Sequence, residues 1–177
     1  NGIDVIKTRE PGGTKVGEKI REILVKGPTK HITPYTELLL NSASRKEHIE
    51  NLIKPNLDIG NWVLCDRFTD STLVYQGYGH GLEINMVENI NQYTVSNYSP
   101  DLTFILDLEP NDGLIRASKR KTKEDRYEKM DVSFHLKIRE AYLEIAKKNK
   151  KKYKIINSNL DIKENKNIII EKIKKLI

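Results

Sequence analysis

Four short apolar runs, each followed by a stretch with helical spacing, constrain this chain most. They are DVIKT (residues 4–8), NWVLCDR (61–67), SPDLTFILDLEP (99–110) and YKIINS (153–158). After the first, Val16, Ile20, Ile23 and Leu24 recur at helical spacing between Lys15 and Lys26. A long helix is predicted over 36–57, with Leu38, Leu39, Ile49, Leu52 and Ile53 on its apolar side. Further helices are predicted over 83–97, 111–119, 132 to about 148, and 162–177, while TLVYQGYGHG reads as a Gly-rich loop or a helix that soon stops. Strands that alternate with helices pair in parallel, because each helix carries the chain back across the sheet. The fold class is therefore α/β, a parallel sheet covered by helices on both faces. No repeat and no linker divides residues 1–177, so one domain is expected.

In such sheets ligands bind at the carboxyl ends of the strands. Arg9 and Glu10 follow the first strand, Asp66 and Arg67 end the second, and Asp107 lies near the end of the third. Arginine is scarce, with eight residues against 23 lysines, and only Arg9, Arg21, Arg45 and Arg67 precede residue 116. Scarce arginine marks places that need a planar, bidentate fork. Arg45 lies seven residues from both Leu38 and Leu52, near the apolar stripe of its helix. An inward arginine needs an anionic or carbonyl partner, which is either a buried ion pair or a ligand.

The stretch TREPGGTKVGEKIR resembles a phosphate loop only in part. Gly12 and Gly17 have the spacing of G-x-x-x-x-G-K-[ST], but Glu18 stands where lysine is needed and Lys19 where Ser or Thr is needed. A carboxylate there would repel phosphate.

The formal charge of +6 follows most simply from abundant lysine. Aromatic and basic residues do not alternate as on a single-strand binding platform, which argues against a nucleic-acid module. One cysteine excludes an internal disulfide and suits a reducing cytoplasm. No run is long enough to span a membrane, and no secretory signal pattern occurs. His31, His48, His80 and His135 are expected to be surface or packing residues, Cys65 a core thiol, and Glu18 and Glu22 solvent-facing charges.

TREPGGT, SRKEHIENLIKP, VLCDRFTDSTLVYQGYG, SPDLTFILDLEP, DRYE and FHLKIREAYLEIA, in that order over nearly the whole chain, resemble bacterial thymidylate kinase. The resemblance implies a phosphate-loop kinase fold and phosphorylation of dTMP to dTDP for dTTP biosynthesis. It implies ATP and Mg2+ as donor and cofactor, and a cytoplasmic homodimer. Carried onto these positions, it places Arg67 on the dTMP phosphate. Asp66 would orient that arginine or a magnesium-bound water, with no direct metal ligand in the chain. Arg45 and Gln76 would read the thymine edge in one small pocket. Ser71, Thr72 and Tyr75 would lie beside the base, Arg21 would reach the acceptor side, and Arg9 and Glu10 would line the phosphate approach. Lys119, Arg120 and Arg126 match a basic lid over ATP, within a segment of about 116–131. Arg67, Asp66, Arg120 and Arg126 are the expected catalytic set.

Two departures accompany the resemblance. The family's phosphate loop, with its preceding strand, lies upstream of the segment matching Asn1. Without it the sheet is expected to split into two halves, and the 177 residues to form an incomplete, poorly stable kinase with weak ATP binding. Asn41 stands where many members stack an aromatic on thymine. The alternatives are another pyrimidine nucleotide kinase of the same fold, a catalytically silent nucleotide-binding fragment, or a basic RNA-binding module.

Overall fold

Strand β1 (Val5–Arg9) runs parallel to β2 (Trp62–Asp66), in a register that sets Val5 opposite Trp62 and Arg9 opposite Asp66. Glu10 N–H donates to the Asp66 carbonyl at 2.9 Å, which carries the ladder one residue past β1. The functional rim expected from the sequence thus has Arg9, Glu10 and Asp66 side by side. The structure, a computed structural model, describes residues 2–119 and 124–175. By internal contacts the chain divides into two compact units, residues 1–99 with 122–130, and residues 100–121 with 131–177.

In the first unit, helix α1 (Lys15–Val25) starts at Thr14, whose hydroxyl accepts the Gly17 N–H. Helix α2 (Pro34–His48) starts at Thr33, whose hydroxyl accepts the Thr36 N–H, with proline at the first helical position. Both caps satisfy backbone donors that a helix start leaves open, and Pro34 lacks the donor altogether. Helix α2 continues through a π-helical stretch, Ile49–Ile53, into α3 (Lys54–Asp58). The long helix predicted over 36–57 is therefore present, with its winding relaxed midway.

Helix α4 (Thr69–Thr72) likewise runs into π-helical turns, Leu73–Gly79. This resolves the segment that read as either loop or short helix. The wider turns bury Val74, Gln76 and Gly77 together. Helix α5 (Ile84–Val95) packs its Val87 against Leu38 and Leu82, with Leu73, Met86 and Ile90 around them. Each fully buried Leu or Val in such a cluster contributes about 1.5–3 kcal/mol.

The second unit holds β3 (Thr103–Asp107) parallel to β4 (Tyr153–Asn157). Helix α6 (Pro110–Ser118) follows β3. Helix α7 (Val132–Lys148) precedes β4, and α8 (Ile162–Ile173) follows it. Ile105, Ile138, Ala141, Ala146 and Ile156 form the buried set of this unit. Arg139 of α7 grips Asp107 at 2.7 and 3.2 Å and also bonds Glu109. The strands are parallel, as alternation with helices demands. Among the described residues they form two two-stranded ladders rather than one continuous sheet.

Candidate active site

The EPGG turn after β1 is built around a buried carboxylate. Glu10 is 4 % exposed, and its Oε2 accepts from Arg45 Nε at 2.6 Å. Oε1 lies 3.0 Å from His48 Nδ1. A carboxylate can only accept, so Nδ1 carries a proton, and the Thr8 hydroxyl lies 2.7 Å from Nε2 on the other side of the ring. Arg45, 2 % exposed, also donates to Asn91 Oδ1 at 3.0 Å and to Thr72 Oγ1 at 2.9 Å. Its guanidinium lies 5.4 Å from the Phe68 ring centroid. Arg45 is turned inward, as its place on the helix predicts, and its anionic partner is Glu10.

The glycines of the turn are there for space as well as conformation. Gly13 has φ +83°, and a Cβ on it would come within 2.5 Å of the His48 ring. The Gly12 N–H donates to Ser44 Oγ at 3.1 Å, pinning the turn to α2. The Gly13 N–H donates to Glu18 Oε1 at 3.0 Å, while Arg9 pairs with Glu18 Oε2 at 3.0 Å. Glu18 remains half-exposed, in keeping with a solvent-facing helix charge, but it is also held by Arg9 and the Gly13 N–H. Burial raises its carboxyl pKa, but the Gly13 N–H and Arg9 outweigh that and lower it. The near-miss phosphate loop is a turn that folds onto its own glutamate.

A second buried carboxylate, Glu37, sits in the first turn of α2 with no exposed surface. It accepts from Gln76 Nε2 at 2.5 Å, lies 3.2 Å from His80 Nε2, and bonds Arg126 Nη2. Burial raises its pKa, but the His80 and Arg126 contacts prevail and hold it below the ordinary value. Arg126, 1 % exposed, also donates to the carbonyls of Leu24 at 2.9 Å and Thr29 at 3.2 Å. It is anchored beneath its segment rather than displayed on it as a lid cation.

The remaining expected residues lie at the rim. Arg67 is exposed and takes φ +66°, a left-handed conformation costly for a side chain with a Cβ. Such strain persists where the surroundings fix it, and Cys65 Sγ, 3.1 Å from the Arg67 carbonyl, is one such contact. Arg67 donates to the Tyr75 hydroxyl at 3.0 Å and lies over that ring. Tyr75 packs edge-on against Tyr127 at 5.2 Å. Arg21 donates to the Pro11 carbonyl at 3.0 Å and pairs with Glu124 at 2.7 Å, which holds the Glu124 carboxyl below its ordinary range. Asp66 is exposed and Ser71 half-buried. Asn41 is half-buried and its amide donates to the Glu37 carbonyl at 2.9 Å. Lys119 is exposed at the end of α6, in the second unit, and Arg120 lies outside the described residues.

The structure joins Arg45 to Thr72, and Arg67 to Tyr75, but gives Arg45 and Gln76 different carboxylates. It adds Glu37, His48, Asn91, Ser44 and Glu124, none of which the sequence reading singled out for the site. For Glu37 and His48 the signal was periodicity, since Glu37, Asn41, Arg45 and His48 recur every three or four residues along one helix face, whereas Asn91 and Glu124 lie on other segments and carried none.

Among the described residues, one cluster has metal-ligand spacing. Glu10, His48 and Cys65 offer donor atoms within 4.8 Å of one another. Arg45 already holds Glu10, both His48 nitrogens are engaged, and burial drives the Cys65 thiol far above its ordinary pKa. That donor set does not suit Mg2+, which prefers oxygen ligands and water.

The thymidylate kinase family model matches residues 1–169. The chain belongs to the thymidylate kinase family. Thymidylate kinase of Sulfurihydrogenibium sp. (strain YO3AOP1) is 42 % identical over 174 residues, covering 98 % of this chain and 84 % of that protein. That of Magnetococcus marinus is 47 % identical over 146 residues, 82 % of this chain and 70 % of the relative. A crystal structure of thymidylate kinase from Ehrlichia chaffeensis superposes with a TM-score of 0.77 at 33 % identity, covering 97 % of this chain and 80 % of that one. The likeness covers the parallel strands and the intervening helices. Its members are nucleoside monophosphate kinases, phosphotransferases by class. No described helix is long and apolar enough to cross a membrane.

Proposed function

We propose that this chain carries the dTMP side of a thymidylate kinase, transferring the γ-phosphoryl group of ATP to dTMP to give dTDP. The observation that carries this reading is Arg67, an exposed arginine held at φ +66° at the end of a parallel strand. A monophosphate bears nearly two charges, and a planar fork meets two of its oxygens at once. Arg9 and Arg21, tied to Glu18 and Glu124, line the approach of the acceptor phosphate. Arg45 and Gln76 read the base edge from their two carboxylate networks, with Thr72, Ser71, Tyr75 and Asn41 beside it. In place of a stacking aromatic, Asn41 contributes only an amide, and the base is held more by its edge than by its face.

Transfer of a phosphoryl group depends on alignment and charge stabilisation more than on covalent help from the protein. Arg67 fixes the attacking oxygen by holding its phosphate. Mg2+ supplies neutralisation of the donor phosphates when bound. Asp66, an exposed carboxylate beside Arg67, has the oxygen chemistry to accept a hydrogen bond from metal-bound water. Lys119 and Arg120 serve the donor side, and Arg126 anchors the segment that follows them by its bonds to Glu37, Leu24 and Thr29. Closure over the donor would exclude water from the transfer.

ATP binding in this reading is completed by a strand and a G-x-x-x-x-G-K-[ST] loop that these 177 residues do not contain. The enzyme is read as a cytoplasmic homodimer. Tyr35 and Leu39, exposed four residues apart on α2, support self-association through that helix.

The test is a substrate panel on the full-length enzyme, following ADP release with ATP and Mg2+. dTMP is the preferred acceptor, dUMP is poorer by about 10–200-fold because one methyl is worth about 1–3 kcal/mol, and purine monophosphates are rejected. A purine monophosphate used as well as dTMP would overturn the reading.

A further inference from the structure

Glu37 has no exposed surface, and its carboxylate meets side chains from two other segments, Tyr127 among them. Gln76 and His80 come from the turns after β2, and Arg126 from the stretch 124–130. Its place in the first turn of α2 favours the charged form, since the helix N-terminus carries partial positive charge. An ionised carboxylate accepts and never donates. The Gln76 amide must therefore turn its NH2 group toward Glu37. Its carbonyl oxygen, which accepts no bond among the described residues, is left on the opposite side. Arg126, tied to two main-chain carbonyls, keeps the carboxylate from swinging away.

We infer that Glu37 is a positioning residue for base selection, holding the Gln76 carbonyl where it accepts from a pyrimidine that carries a hydrogen on ring nitrogen 3. Thymine has a donor at that nitrogen, whereas cytosine has a lone pair. With the amide locked, a cytosine ring would set lone pair against lone pair. With the amide free to flip, the NH2 group could serve cytosine instead. This rests on the reading that Gln76 faces the base.

The experiment is calorimetric titration of the full-length protein with dTMP and with dCMP. The unaltered protein prefers dTMP by on the order of 100-fold, the cost of leaving polar groups unpaired. Glu37→Gln offers the Gln76 amide both a donor and an acceptor, and lowers that preference by about tenfold, mainly through tighter dCMP binding. Because this variant leaves the Arg126 charge buried, the pair Glu37→Gln with Arg126→Met is measured beside it, with the same relaxation expected. An unchanged preference in both, or equal losses for the two nucleotides, would mark Glu37 as structural only and overturn the inference. Gln76→Leu tests the underlying reading separately. It weakens dTMP binding if Gln76 faces the base, and unaltered dTMP affinity would remove both that reading and the inference.

Discussion

Replacing Arg67 with lysine in the full-length enzyme lowers kcat/KM for dTMP by about 100-fold. Lysine keeps the charge but presents a point rather than a fork, and one charge-assisted hydrogen bond is worth about 1.5–3 kcal/mol. The backbone cost of φ +66° is the same for lysine as for arginine, so the melting temperature should move little. That separates a lost contact with substrate from a damaged fold. The contact with Tyr75 is lost in either case, but it lies at an exposed site and adds little to stability. Near-normal turnover in Arg67→Lys would remove Arg67 from the phosphate.

Glu10→Gln produces the largest loss of stability. Glu10 is the acceptor for both Arg45 and His48, and all three are buried. A glutamine of the same shape must turn its NH2 group toward one of those donors. It also leaves the Arg45 guanidinium without a counter-charge. Breaking a buried pair in this way costs about 3–5 kcal/mol. At about 2–4 °C per kcal/mol for a chain of this size, the melting temperature falls by on the order of 10 °C. Thermal unfolding followed by circular dichroism measures it. A fall of a degree or less would show that the Glu10–Arg45–His48 network does not hold α2 against β1.

The sequence carried the elements better than their assembly. Alternation of apolar runs with helical spacing located all four strands, because buried parallel strands read as short continuous apolar stretches. Local periodicity by itself does not say which strands pair, since pairing depends on which neighbours are present. Arg45 was legible as inward from its spacing to Leu38 and Leu52. Its partner was not, because Glu10 is 35 residues away and the contact is made only by folding. Glu18 illustrates the reverse difficulty. Its position on an amphipathic helix suggested a solvated charge, and only the fold of the Gly12–Gly13 turn brings a backbone N–H to it. The family resemblance implies a lid position for Arg126. Tertiary contacts instead bury it on Glu37, a residue that looked like an ordinary first-turn acid of α2. From the sequence, His48 reads as a surface or packing residue. It is indeed packed, but as the bond between Thr8 and Glu10.

A crystal structure of the full-length enzyme with dTMP tests the central claim most directly. The account predicts that the phosphate lies within hydrogen-bond reach of the Arg67 guanidinium, and that the thymine edge faces Gln76 and the buried Arg45. A phosphate bound away from Arg67, with the base in a pocket that contains neither Arg45 nor Gln76, would contradict it.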